Sequence, residues 1–445
     1  MSIGIVGGGI AGLTAAYRLA RAGQEVTLWE RAPKLGGQAT SFPVAHGNLE
    51  YFYHHLFQSD SDITGLIDEL GLGHRLMWLP SDVGYFADGR ILPLNGAMDL
   101  LKLDILPLQD RIRVGMVTAY LQRVRDWKPF EQVTAEAWLT KALGERAYRA
   151  TFGAQLEAKF GGYASEIAMV WFWGKIWLRT TSRRSPIEGE KLGYPLGSFG
   201  TIVDALEHGA RSAGATIHAG TGPSSIKSTD HGRIQLYFED GVENRSYDRV
   251  IVTTPSPVFS MLTPELPDTY RSRITSLNYE AAVVALLELN RPLSSTYWMN
   301  IADLTLPFTA IIEHTNFVSP VHYGGRHYVY LSKYLEVDHP FFTRDSDELI
   351  DDYLSFLPRI NSHFDRSWVT NSWVFRERAA QPIITLNYGA RLPGHRTPVP
   401  NLYLANTSQI YPEDRGTNYS VRLGNTIAKT IVDDLHTSAP WHSTD

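Results

Sequence analysis

Apolar residues run unbroken through "IGIV" (residues 3–6), the pattern of a short buried strand. From residue 10 the pattern changes to helical spacing: Ile10, Leu13, Ala16, Leu19 and Ala20 recur on one face, and Gly23 ends the run. "EVTLWE" then reads as a second strand ending at Glu30, which completes a strand–helix–strand unit. Between 97 and 190 strand signals thin out. "GAMDLLKLDILPLQDRIRVGMVTAYLQRVRDW" and "TAEAWLTKALGERAYRATFGAQLEAKFG" carry helical spacing and predict an inserted helical segment. "GTIVDALEHGARSAGATIHAG" then predicts a helix and a strand, and "RIQLYFEDGVENRSYDRVIVTTP" a hairpin followed by a buried strand. Aromatic β-like runs such as "AAVVALLELN" and "RHYVYLSKYLEV" fill 265–390. "NLYLAN" adds one apolar strand and "GTNYSVRLGNTIAKTIVDDL" a closing helix. The segments interleave, and no internal repeat or low-complexity tract separates them.

The composition narrows the function classes. At 445 residues the chain exceeds the usual size of one core. Hydrophobic residues make up 43% and charged residues 20%, ordinary values for a globular protein. A net charge of −6 argues against a nucleic-acid partner. The absence of cysteine excludes disulfides, thiolate metal sites, a thiol nucleophile and a cysteinyl cofactor link. No His/Asp/Glu spacing suggests a metal. With no signal-like N-terminus and no apolar stretch near the ~18 residues that span a bilayer, a cytoplasmic protein is expected. Eleven Trp, 22 Tyr and 18 Phe suggest a large apolar cavity, an interface or aromatic-rich cores.

The first strand–helix turn carries Gly7, Gly9 and Gly12 in the spacing G-x-G-x-x-G. In that context the first glycine makes the turn, and the second lets a pyrophosphate approach bare backbone. The third allows close helix–strand packing. The helix N-terminus, at Ile10 and Ala11, then presents free N–H groups and a positive dipole end to phosphates. Glu30, eighteen residues past Gly12, ends the second strand, where a carboxylate can accept from ribose hydroxyls. The expected ligand is a dinucleotide.

"ERAPKLGGQATSF" places Gly36 and Gly37 a few residues past the acid. Here the chain resembles the FAD-dependent amine oxidase, protoporphyrinogen oxidase and carotenoid desaturase superfamily. The double glycine is usually followed there by Arg; this chain has Gln38. A second point of resemblance lies at the other end. Ten residues after "NLYLAN" ends at Asn406, a helix opens in which Gly416, Ser420, Gly424 and Ala428 repeat every four positions. In the superfamily that helix starts beside the isoalloxazine, and the N–H groups of Thr417 and Asn418 would point at the flavin. Asn406 replaces the usual acid. "TGPSSI" falls where the adenine is usually met, with Pro223 in place of a more usual Val; proline lacks the N–H.

The resemblance implies an α/β protein. A Rossmann-like FAD/NAD(P)-binding domain (1–75, 195–262, 395–445) would interleave with a mixed β-sheet substrate domain (76–96, 263–394) and a helical insertion (97–194). It implies FAD as cofactor. The contact set would be Gly7, Gly9, Ile10, Ala11 and Gly12; Glu30 and Arg31; Gly36, Gly37, Gln38, Ala39 and Thr40; His54; Pro223; Thr254; Asn406; and Gly416, Thr417 and Asn418.

An enzyme of this kind draws a hydride from a substrate C–H or N–H onto flavin. His54 and His55, in "FYHHLF", and Tyr419 are the candidate catalytic residues. "AMVWFWGKIWLRTTSRR" (168–184) reads as the lining of an apolar or aromatic substrate's cavity, as an amphipathic membrane-surface anchor, or as a buried aromatic helix. Lys175 and Arg179 share a helix face that could meet an anion. The partner expected is a small-molecule substrate. Two rival readings stand beside the oxidoreductase: a redox-neutral flavoenzyme resembling UDP-galactopyranose mutase, and a non-catalytic binding protein of the GDP-dissociation-inhibitor type.

Overall fold

Two sheets carry the molecule, and their strand patterns set what covers each face. The computed structural model describes residues 1–182, 189–239, 241–436 and Trp441. The first sheet is five-stranded and wholly parallel, in the order Thr216–Ala219, Glu25–Glu30, Ser2–Val6, Arg249–Val252, Leu402–Leu404. Its central strands are short and apolar on both faces, as parallel strands covered on both sides must be. Alternation along them sorts the contacts. Ile3, Ile5, Ile251 and Tyr403 join the core beneath the helices, whereas Val250, Val252, Leu402 and Leu404 pack on the opposite side. The helical cover comprises Ile10–Arg21, flanked by Thr417–His436 and Gly200–Ser212. The other face is closed by an antiparallel meander, Ser225–Ser228, Ile234–Tyr237 and Arg245–Tyr247, one strand more than the expected hairpin.

The second sheet has seven strands. Its order is Val369–Pro382, Tyr279–Leu289, His327–Leu335, Ala310–Glu313, Trp298–Ile301, Val83–Ala87, Arg90–Pro93. All neighbours are antiparallel except Trp298–Ile301 and Val83–Ala87. Period two again separates the faces. Val283, Ala285 and Leu287 meet the helix Ser346–Phe356, while Val284, Leu286 and Tyr330 face the first domain. The helices Leu108–Leu121, Ala135–Leu143, Ala154–Phe160 and Met169–Thr181 enclose a third core.

The expected segment boundaries are blurred at one point. Leu76–Pro80, Lys191–Pro195 and Leu56–Phe57 form a small antiparallel sheet that joins all three segments. Glu50 sits at the same junction, fully buried. Its carboxyl accepts from the Phe199 N–H (2.6 Å) and the Tyr194 hydroxyl (3.0 Å), and its carbonyl from the Tyr330 hydroxyl (2.9 Å). Burial pushes this carboxyl up from 4.5 to about 7 against those donors. A raised folded-state value means the contribution is present at acid pH and is lost as pH rises from about 4.5 to about 7. Glu50→Gln cannot ionise. Its stability relative to wild type is therefore expected to improve across that window by about 3 kcal/mol, measured by denaturant unfolding at several pH values.

Candidate functional site

The glycine turn is shaped by the chain at two positions and left open at a third. Gly7 has φ +113°, and a Cβ there would lie 2.3 Å from Thr253 Oγ1. A Cβ on Gly12 would lie 2.0 Å from the Gly7 carbonyl oxygen. A Cβ on Gly9 would meet nothing nearer than Gly37 Cα, at 3.9 Å. Packing therefore explains Gly7 and Gly12, but Gly9 is bare toward open space. Gly9 also starts the helix Ile10–Arg21 with no side-chain cap, so the first-turn N–H groups at Ile10 and Ala11 have no capping acceptor. The second glycine segment lies alongside: Gly36 N–H donates to Gly8 carbonyl (2.8 Å), and Gly9 bridges Gly36. The Thr40 hydroxyl closes this loop on the Leu35 and Gly37 carbonyls, with Ala39 buried beside it. The Glu30 carboxylate accepts from Gly8 N–H (2.6 Å) and Ala32 N–H (2.7 Å), which fixes it at the mouth of the turn. Arg31 is exposed; Gly222, next to Pro223, packs against it, so a Cβ there would come within 2.9 Å of Arg31 Cβ.

The C-terminal helix docks on the first one. A Cβ on Gly424 would fall 2.6 Å from both the Ala11 carbonyl oxygen and Thr14 Cβ. This crossing brings Gly416, Thr417 and Asn418 to a cavity of about 440 Å³ between the two sheets and the helical segment. Gln38, His54, His55 and Tyr419 also line it. Two of these side chains have additional work. Gln38 donates to the Ala379 carbonyl (3.0 Å). The Asn418 carboxamide oxygen caps the helix Ser61–Glu69 through the Asp62 and Ile63 N–H groups. Asn406 differs from expectation. Both donors of its amide are used inside the protein, on Thr254 carbonyl (3.0 Å) and Ser256 Oγ (3.2 Å), and its oxygen accepts from Ser408. Its side chain ties two strand ends together; the Thr254 hydroxyl beside it is buried with no partner among the described residues.

Both histidines are held neutral. Burial, with Arg415 adding repulsion, brings His54 down to about 4. Burial, followed by Arg179, His54 and Lys175, brings His55 to about 3. His54 Nδ1 lies 2.6 Å from the Phe52 carbonyl, which can only accept, so Nδ1 carries the proton and Nε2 is a bare acceptor. His55 Nδ1 is 3.0 Å from the Tyr297 hydroxyl. Tyr419 stacks under the Arg422 guanidinium, and burial pushes its phenol up.

The aromatic run resolves into core and cavity wall. Trp171, Phe172 and Trp173 are buried, and Trp171, Phe172, Ile176 and Leu178 line the cavity. Trp177 is half-buried and stacks on Trp173, and Arg183 and Arg184 fall outside the described residues. Lys175 pairs with Asp414 and Arg179 lies 3.8 Å from Glu190, so both already have acidic partners.

Sequence reasoning missed Tyr53, Lys159 and Tyr334, which line the cavity with Arg415, and Glu280, which is buried close to the same two cations. The available signal was the polar alternate face of the strand His327–Leu335 (Ser332, Tyr334). Several polar atoms here are buried without a partner among the described residues: Arg415 Nε, Gln381 Nε2, Trp171 Nε1 and Glu280 Oε2. Buried polar atoms are ordinarily satisfied, so these point to a ligand with polar edges. With the open face at Gly9, they fit a flavin dinucleotide as the group this site would hold.

The chain belongs to the flavin containing amine oxidoreductase family, whose model matches residues 10–413. That is the expected superfamily, and flavin is its cofactor class. Among curated proteins it is 24% identical over 324 residues to 15-cis-phytoene desaturase of Glycine max, covering 67% of this chain and 55% of that protein. It is 26% identical over 325 residues to carotenoid phi-ring synthase of Streptomyces griseus, covering 66% and 60%. The chain thus spans about half the length of the curated relatives it matches. Among solved structures it is similar to a putative protoporphyrinogen oxidase of Exiguobacterium sp. 255-15 (17% identity, TM-score 0.77, 98% and 99% of the two chains). It is also similar to reduced UDP-galactopyranose mutase (17%, 0.75, 98% and 96%). These two likenesses concern the fold. No helix among the described residues is long and apolar enough to cross a membrane.

Proposed function

We propose that the chain is an FAD-dependent oxidoreductase that removes a hydride from a C–H or N–H of a small organic molecule with a largely apolar body. The observation that carries this reading is the cavity of about 440 Å³, closed by the first turn of the C-terminal helix on one side and by Trp171, Phe172 and Trp298 on another. Bound flavin supplies the hydride acceptor; the chain supplies orientation, dipoles and exclusion of water. Gly9 and the uncapped N–H groups at Ile10 and Ala11 would hold the pyrophosphate, with Glu30 on the ribose. The N-terminus of Thr417–His436 would favour negative charge on the reduced ring. Neutral His54 offers Nε2 as an acceptor without placing a cation in the cavity.

The test is anaerobic bleaching of the purified yellow protein against amines, porphyrinogens, isoprenoids and nucleotide sugars. Bleaching by one of the first three supports the oxidoreductase. Perturbation by a nucleotide sugar alone would show a redox-neutral enzyme, and a colourless folded protein that refuses flavin would show a binding protein.

A further inference from the structure

Tyr334 is a cavity residue that no cofactor motif explains. It lies on the strand His327–Leu335, opposite Ala282, with its side chain on the cavity face. Arg415 donates from a guanidinium nitrogen to its hydroxyl at 3.0 Å. The Lys159 ammonium, from the helix Ala154–Phe160, stands 3.9 Å from its ring centroid. Among the described residues, neither cation has a carboxylate within ion-pair distance. The other ionisable groups facing the phenol are Tyr53 and Lys175, the latter paired with Asp414; Glu280 lies on the neighbouring strand, two residues from Ala282.

The contrast with nearby tyrosines is informative. Burial, reinforced by the nearby Glu50 carboxyl, drives Tyr297 and Tyr330 well up, and burial acts in the same direction on Tyr334. There, Lys159 and Arg415, joined by a hydrogen bond with Tyr53 and by Lys175, more than offset it and bring the phenol down to about 8. Glu280, pushed up to about 8 by burial against the same two cations, is largely protonated at neutral pH and does not cancel them. The histidines, at about 4 and 3, are too weakly basic to hold a proton there.

We propose that Tyr334, clamped between Arg415 and Lys159, is the catalytic residue that exchanges the substrate's proton in this cavity. The inference rests on the oxidoreductase reading. Dehydrogenation breaks one C–H bond, whose electron pair leaves with the hydrogen to the flavin. The proton on the neighbouring N, O or C passes to the phenolate oxygen. The substrate would leave with a new double bond, its two electrons going with the hydride to bound flavin, and Tyr334, now a phenol, would return its proton to water.

The experiment is an ultraviolet difference titration of wild type, Tyr334→Phe and Lys159→Met, with the pH profile of flavin bleaching measured alongside. The expected result is one phenolate in wild type with a midpoint at about 8, absent from Tyr334→Phe. In Lys159→Met that midpoint should rise by about one pH unit or more. Bleaching of Tyr334→Phe should lose the pH dependence that wild type shows around the same midpoint. No titrating phenolate below the ordinary tyrosine range, or an unchanged bleaching profile in Tyr334→Phe, would overturn the proposal. Should Tyr334→Phe not fold, the midpoint shift in Lys159→Met decides. The titration needs neither substrate nor turnover, so its failure is distinct from that of the oxidoreductase reading, which a colourless protein would expose.

Discussion

Gly9→Ala is expected to fold as wild type does yet emerge colourless, whereas Gly12→Ala loses both flavin and stability. The two glycines are three residues apart in one turn, and only their surroundings differ. Gly9 has φ −73° and ψ 177°, a conformation any residue adopts, and its added methyl would meet only Gly37 Cα at 3.9 Å. Its stability should therefore stay within about 1 kcal/mol of wild type in the flavin-free state. The methyl would instead occupy the space through which a phosphate reaches the bare N–H groups. Losing two charge-assisted hydrogen bonds costs about 3 kcal/mol, roughly 100-fold in affinity. In Gly12→Ala the methyl lies 2.0 Å from a backbone carbonyl oxygen that cannot swing away, so the helix must move off the strand. Overpacking of that kind costs about 3 kcal/mol before cofactor loss is counted. Flavin absorbance per protein and thermal unfolding of the flavin-free forms separate the two effects. A yellow Gly9→Ala protein would remove the pyrophosphate from this turn.

That contrast also shows which parts of the site were legible in sequence. Glycines that admit a backbone conformation or a phosphate act within a few residues, so the spacing of Gly7, Gly9 and Gly12 and the acid at Glu30 announce themselves locally. The period of four at Gly416, Ser420, Gly424 and Ala428 is equally local, and it leads to the observed crossing of the first helix. Tyr334, Lys159 and Arg415 act as a group only because a strand, a helix and a loop from separate segments meet. Nothing within ten residues of Tyr334 indicates that two cations will face it. Asn406 shows the converse. At the expected strand end its amide is taken up by Thr254 and Ser256, partners about 150 residues away in the chain. The segment boundaries blur for the same reason, since Leu56–Phe57 and Leu76–Pro80 find their shared partner in Lys191–Pro195.

Gly424→Leu is expected to abolish flavin retention and to destabilise the protein by about 4 kcal/mol, because the two ends of the chain can no longer close on each other. The first atom of the new side chain would already fall 2.6 Å from the Ala11 carbonyl oxygen and from Thr14 Cβ, both in the rigid first helix. Neither helix can yield locally. Arg18 bonds Asn425 at 2.8 Å across the same crossing, and Asn418 holds the start of the helix Ser61–Glu69. Relief requires the helix Thr417–His436 to tilt or lift as a body. That motion would withdraw Gly416, Thr417 and Asn418 from the cavity, taking with them the N–H groups that would face the flavin ring. Thr426→Leu, two residues on and exposed to solvent, is the control, expected to stay within about 0.5 kcal/mol of wild type and to remain yellow. Flavin content and melting temperature of the two variants, measured side by side, decide the matter. A Gly424→Leu protein as yellow and as stable as Thr426→Leu would mean that the crossing of the terminal helices does not hold the cofactor.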